Sequence, residues 1–202
     1  IIMAGAFLVL GGCEESSTGP TGEGTIVVAV TTSGGDPDLD GYEIRVDDRI
    51  GSPLATIDEE TYIVGAGQHR FEFSGVAPNC TVSGEPVRTI TLAAGGNERL
   101  EFRVICRSTG FRVSSTSFGV DLDNGGYQIT IDGETKGSLA PNSQMLISRM
   151  APGTYTVGVT GVAPNCTLDG PPTRTLTVTN AELTPVAFAF TCVATYGVIR
   201  IV

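Results

Sequence analysis

Tryptophan is absent from this 202-residue chain, histidine occurs once, and charged residues make up only 17% of it. Each scarcity excludes something. Without tryptophan, and with most of the five tyrosines and eight phenylalanines on the inward positions of an alternating pattern, the chain lacks the aromatic platform of a strong sugar site. The single histidine, His69, falls in an expected strand and reads as a rim side chain, not a catalyst. No G-x-S-x-G, H-E-x-x-H or P-loop pattern occurs, and adjacent acids such as Glu59 and Glu60 point to opposite faces of any strand. Catalysis is therefore not expected. Twelve Lys and Arg against 22 Asp and Glu give a net charge of -10 with no basic cluster, which excludes nucleic acid as a partner. Beyond residue 13 no stretch has helical periodicity.

What the chain does have is glycine and proline, 27 and 11 residues, with plentiful valine, isoleucine, leucine and phenylalanine. That mixture suits short strands joined by many turns, and the length suits two units of under a hundred residues. Residues 1–12 form an uncharged apolar run too short to span a bilayer as a helix, which needs about 20 residues, and of the length of a signal-peptide apolar region. Its end, Leu10-Gly11-Gly12-Cys13, resembles the bacterial lipobox, a resemblance that implies cleavage before Cys13 and acylation of its thiol. The basic residues expected ahead of such a run are missing, so the reading frame is expected to be clipped at its N-terminus. Residues 13–23, rich in Ser, Thr, Gly and Glu, read as a solvated tether.

The hexapeptide GVAPNC occurs at residues 75–80 and again at 161–166. Aligning the two copies with a one-residue gap pairs GTIVVAV from Gly24 with GFRVSS from Gly110, GYEIRVDD from Gly41 with GYQITIDG from Gly126, and PVRTITL from Pro86 with PTRTLTV from Pro172. Two units result, 24–109 and 110–196. GVIRIV from Gly197 reads as the start of a third unit at 197–202, or as a strand completing the second. Inside each unit apolar residues alternate with period two: Tyr42, Ile44 and Val46; Phe71 and Phe73; Leu100, Phe102, Val104 and Cys106; and in the second unit Tyr127, Ile129 and Ile131, then Val186, Phe188, Phe190 and Cys192. Strands with one face in a core and one in water are expected, forming an all-β antiparallel sandwich in each unit.

Units of about 86 residues have marginal cores, and a covalent clamp helps most at this size. Pro-Asn is a turn dipeptide, asparagine tolerating left-handed geometry, so each hexapeptide is expected to bend the chain and present its cysteine to the last strand of its unit. The expected bridges are Cys80–Cys106 and Cys166–Cys192. They require an oxidising compartment, and they leave Cys13 as the lipid site, which explains the odd count of five. The close paired spacing of zinc ligands is absent.

The stretch GGYQITIDGETKGSLAPNSQMLISRMAPGTYTVGV resembles the PEGA-type and carboxypeptidase-regulatory-like modules through Asp132, Gly133, Gly137, Pro152, Gly153, Tyr155 and Val157. The first unit is similar through Asp47, Gly67, His69 and Phe71. The resemblance implies a prealbumin-like, Ig-like β-sandwich and a non-catalytic accessory role in the bacterial envelope: adhesion, glycan contact or spacing. It covers roughly half of each unit.

DPDLDG sets Asp36, Asp38 and Asp40 at alternate positions before Gly41, with Asp47 twelfth from Asp36. This is the opening of an EF-hand-like calcium loop, although a strand follows it where that loop has a helix. Two readings stand: a solvated acidic turn, or a weak calcium site formed by these four aspartates. No other cofactor is expected. The functional expectation is an envelope lipoprotein, held in the outer membrane by its lipid, whose tandem modules serve adhesion, spacing or scaffolding. The alternatives are a module binding glycan or protein on its exposed loops, with or without calcium, and the accessory end of a secreted hydrolase.

Overall fold

The computed structural model describes residues 22–195; the expected signal segment, Cys13, nearly all of the tether and the segment from Gly197 lie outside the described residues. Among those described, all regular structure is strand. The first half runs β1 (Glu23–Gly34), β2 (Tyr42–Val46), β3 (Arg49–Leu54), β4 (Ile57–Gly65), β5 (Gly67–Ser74), β6 (Cys80–Val82), β7 (Val87–Leu92) and β8 (Asn97–Cys106). These form two four-stranded sheets, β4-β1-β8-β6 and β3-β2-β5-β7. The second half repeats them as β9 (Gly110–Gly119), β10 (Tyr127–Ile131), β11 (Glu134–Leu139), β12 (Gln144–Ile147), β13 (Gly153–Thr160), β14 (Cys166–Leu168), β15 (Thr173–Val178) and β16 (Leu183–Cys192), in sheets β12-β9-β16-β14 and β11-β10-β13-β15.

Each half has its own core. In β2, Tyr42, Ile44 and Val46 are buried while Glu43 and Arg45 are exposed, and they meet Phe71 and Phe73 of β5, with Leu100, Phe102 and Val104 of β8 from the facing sheet. The second core repeats this with Tyr127, Ile129, Ile131, Val157, Val159, Phe188 and Phe190. The period-two pattern decides this arrangement, because only one face of each strand can leave water. The repeated Pro-x-Arg-Thr also has a role. Arg88 of β7 lies over the ring of Phe102 at 4.5 Å, and Arg174 of β15 over Phe188 at 5.1 Å, so each guanidinium covers the gap between the two sheets of its module.

One feature differs from a purely antiparallel sandwich. The first and last strands of each module, β1 with β8 and β9 with β16, pair in parallel. Parallel pairing of first and last strands means that the chain enters a module at one end and leaves at the other. With ten-residue strands the advance is about 30 Å per module. Their register also corrects the alignment of the opening strands: Gly34 faces Cys106 and Gly119 faces Cys192, so Gly110 corresponds to Thr25, one residue beyond Gly24. At Gly34 and Gly119, with φ of 99°, an added Cβ would stand 2.0 and 1.9 Å from the carbonyl oxygens of Cys106 and Cys192. Glycine is required at both by this close approach.

Asp47 and Asp48, at φ of 48° and 64°, form the turn between β2 and β3, and Asp132-Gly133 forms its counterpart. Successive positive φ values match the right-handed twist of a hairpin, which accounts for an Asp-Gly there. The disulfides join Cys80 to Cys106 and Cys166 to Cys192. In both modules the bonded cysteines face each other across an antiparallel pair, β6 with β8 and β14 with β16.

Candidate functional site

The repeated hexapeptide is the centre of a latch, and its parts are clear from the hydrogen bonds. Ala77 N–H donates to Asp38 Oδ2 at 2.6 Å, and Ala163 N–H to Asp123 Oδ2 at 2.8 Å. Asn79 Nδ2 donates to the carbonyls of Asp36 (2.8 Å) and Arg107 (3.0 Å); Asn165 Nδ2 does the same to Asp121 (2.8 Å) and Val193 (3.0 Å). Neither asparagine is left-handed. The positive φ expected there falls instead on Gly75 and Gly161, at 80° and 75°. Asparagine recurs because its amide ties three loops at one end of the sandwich.

At the same end the two modules join. Residues 107–109 are the whole link between β8 and β9, and the Asp36 carboxylate grips it. Asp36 Oδ2 accepts Thr109 N–H at 3.1 Å and Arg149 N–H, from the second module, at 2.9 Å. Asn180 of the second module donates to Pro78 O of the first at 2.6 Å, while Thr109 is fixed from the other side by Ala181 N–H on its Oγ1. Burial alone would raise the pKa of Asp36. The backbone donors Arg149 and Thr109, the Ser148 hydroxyl and the Arg149 charge outweigh it, and hold the group below its ordinary 3.8. Asp36 sits at φ 52°, a geometry that aspartate tolerates better than most side chains. A cavity of 280 Å³ lies along this joint, lined by Asp36, Asp38, Asp40 and Asn79 from one module and by Arg149 and Asn180 from the other.

The four aspartates of the calcium reading do not form one site. Asp36, Asp38 and Asp40 precede β2, whereas Asp47 follows it, at the opposite end, where its Oδ1 accepts Arg70 N–H at 2.9 Å and its Oδ2 meets His69 at 2.7 Å. Among the described residues no three acidic, histidine or cysteine side chains converge on a cation. The reason is chemical: Asp36, Asp38 and Asp47 each spend carboxylate oxygens on backbone N–H groups of their own fold.

Asp38 is 3% exposed, and among the described residues its Oδ1 has no hydrogen-bond partner. Burial, together with the neighbouring Asp40 carboxylate, pushes its pKa up. In the second module the residue matching Asp40 is Gly125, whose N–H donates to Asp123 Oδ1 at 3.1 Å, so the same oxygen is satisfied there. At the far end of the first module His69 is bonded on both ring nitrogens, Nδ1 to Asp47 and Nε2 to Gly65 O at 2.6 Å. Both partners are acceptors, so only the imidazolium donates to both. Its pKa is raised accordingly, chiefly by Asp47, against the opposing effect of burial. Tyr155 stands at the matching position, and its hydroxyl donates to Ala151 O at 2.9 Å.

With this geometry in view the chain can be set beside known proteins. No protein-family model matches it, and no curated protein is similar to it in sequence. Its similarities are to solved structures, and they are remote. The Bacillus anthracis TIE protein is 14% identical with a TM-score of 0.37, over 86% of this chain and 34% of that one, so this chain spans about a third of that protein's length. The shaft pilin SpaA of Lactobacillus rhamnosus GG is 11% identical with a TM-score of 0.35, over 87% of this chain and 99% of that one. The minor pilin of Streptococcus agalactiae is 12% identical with a TM-score of 0.31, over 89% and 100%. Likenesses this remote bear on neither ligand nor activity.

Sequence reasoning found the cysteines, the repeat and the inward residues. It missed the joint, since Asp36, Arg149 and Asn180 are far apart in the chain. A usable signal was present in the recurrence of Asp36-x-Asp38 as Asp121-x-Asp123 beside the recurring Asn-Cys.

Proposed function

We propose that this protein is a non-catalytic, lipid-anchored envelope protein in which tandem β-sandwich modules act as a stiff spacer and present their end loops for adhesion. The observation that carries the reading is the parallel pairing of first and last strands in both modules, combined with a three-residue link gripped by Asp36. Entry and exit lie at opposite ends of each module. A spacer needs this, because each added module then adds length. Cys13 is the anchor in this reading, and its acyl chains reach the outer membrane of the envelope. The disulfides suit the oxidising side of a membrane.

The test is made on the chain produced in a bacterium with a complete leader. Intact-mass measurement is expected to give an acylated Cys13 and no free thiol, with the protein in the membrane fraction, and Cys13→Ala is expected to release it. Five alkylatable thiols and a soluble product from the unsubstituted chain would overturn the reading.

A further inference from the structure

The second module carries, at its far end, a copy of the half-joint by which the first module holds the second. Asp121 matches Asp36 in position and in backbone geometry, with φ of 52° at both. Its Oδ2 accepts the N–H of Thr195 at 2.8 Å, as Asp36 Oδ2 accepts the N–H of Thr109, and Thr109 and Thr195 stand at the same distance past their bridged cysteines. Val193 N–H donates to Asn165 O at 2.9 Å, as Arg107 N–H donates to Asn79 O at 2.9 Å. Asn165 binds the Asp121 and Val193 carbonyls as Asn79 binds those of Asp36 and Arg107. The hydrogen bonds that the first module and its link make among themselves at the joint are therefore repeated.

The differences lie where the next module would act. At the first joint the Thr109 hydroxyl accepts Ala181 N–H from the second module, and Asp36 Oδ2 also takes Arg149 N–H. At the second, the Thr195 hydroxyl turns back and donates to Asp121 Oδ2 at 3.0 Å. Thr109 is 5% exposed, whereas Thr195, Asp121 and Val193 are exposed, Val193 at 62%. The repeated contacts lie outside the hydrophobic core of the second module, which is built from other residues. Their duplication is explained by a duplicated use.

We propose that the Asp121–Asn165–Thr195 end of the second module is a seat for a further module of this same kind, continuing the chain. The occupant must supply a backbone N–H in the manner of Arg149, and an amide in the manner of Asn180, to reach Asp121 and the carbonyl of Pro164, the counterpart of Pro78. The sequence GVIRIV from Gly197 has the glycine-led apolar opening of the earlier modules, one residue later in register because Tyr196 intervenes. This inference extends the spacer reading but stands on the joint alone, so it does not depend on the lipid.

The test uses the chain through Thr195 followed by a second copy of residues 110–195, which brings its own Arg149 and Asn180. Nitrogen-15 relaxation then reports whether modules tumble together, and X-ray scattering gives the length. The second and third modules are expected to share one correlation time, and the maximum dimension to grow by the same step as from one module to two. Asp121→Ala should abolish the shared tumbling of modules two and three while leaving modules one and two coupled, and Asp36→Ala should do the reverse. A third module that tumbles independently with Asp121 intact overturns the proposal. So does coupling that survives both Asp121→Ala and the double variant Asp121→Ala/Asn165→Ala. The lipid measurement above is unaffected by either result, so the two readings fail separately.

Discussion

Removing one disulfide gives a calibrated perturbation, because each of the two modules has one bridge of the same sequence separation. In the double variant Cys80→Ala/Cys106→Ala a cross-link of sequence separation 26 is lost from the unfolded state. Chain entropy assigns a loop of this size about 3.5 kcal/mol. The half-cystines are 8% and 2% exposed, so the alanines also leave a small buried gap, adding roughly 1 kcal/mol. For a unit of this size each kcal/mol shifts the midpoint by about 4–8 °C, and the module should melt roughly 18–36 °C earlier. Calorimetry of the whole chain is the assay: the variant should separate one transition from the other. Cys166→Ala/Cys192→Ala removes a cross-link of the same separation, 26, and should lower the other transition by the same amount. A loss below about 1 kcal/mol, or losses in the two modules that differ more than twofold, would refute the argument that loop length sets the contribution.

Other consequences can be measured on the same material. Asp36→Ala should uncouple the modules in relaxation measurements, at a cost of about 1–2 kcal/mol for two charge-assisted hydrogen bonds in a half-exposed setting, with Asp36→Asn milder because an acceptor remains. Since the Asp36 pKa is depressed on folding, the joint should be fully formed above pH 3.8 and loosen as pH falls through the lower folded value. His69 has the opposite sign: its contribution should be complete below pH 6.5 and fade as pH rises through the raised folded value, and His69→Gln should remove that slope from the first module only. Gly34→Ala and Gly119→Ala should each destabilise their module by more than about 2 kcal/mol, since the new methyl meets a backbone carbonyl at positive φ. Asp40→Gly should make the first module resemble the second and raise its stability at neutral pH relative to pH 3.8, and an unchanged pH profile would count against the effect of Asp40 on the buried Asp38 carboxyl.

The sequence alone carried the strand positions with strong alternation. Tyr42-x-Ile44-x-Val46 and Leu100-x-Phe102-x-Val104 are buried and exposed in strict turn, because a strand that packs one face leaves the other in water. It did not reveal β3, β4 or β6. Most of β3 and β4 is exposed or half-exposed, so their residues carry little alternation, and β6 is only three residues long. The cysteine pairing was legible because each module offers only one partner. Grouping Asp47 with Asp36, Asp38 and Asp40 rests on spacing along the chain, which cannot show that β2 carries Asp47 to the end opposite Asp36.

What the sequence by itself determined is the repeat, the inward faces and the staple within each copy, since these are local patterns of period two and of paired thiols. What only the tertiary structure decided is direction. The parallel pairing of β1 with β8 sends the chain out at the far end of each module, and the Asp36 carboxylate then meets Arg149, 113 residues away in the chain. Neither follows from alternation, because alternation sorts residues between two faces and is silent about which strand lies beside which, and in which sense it runs.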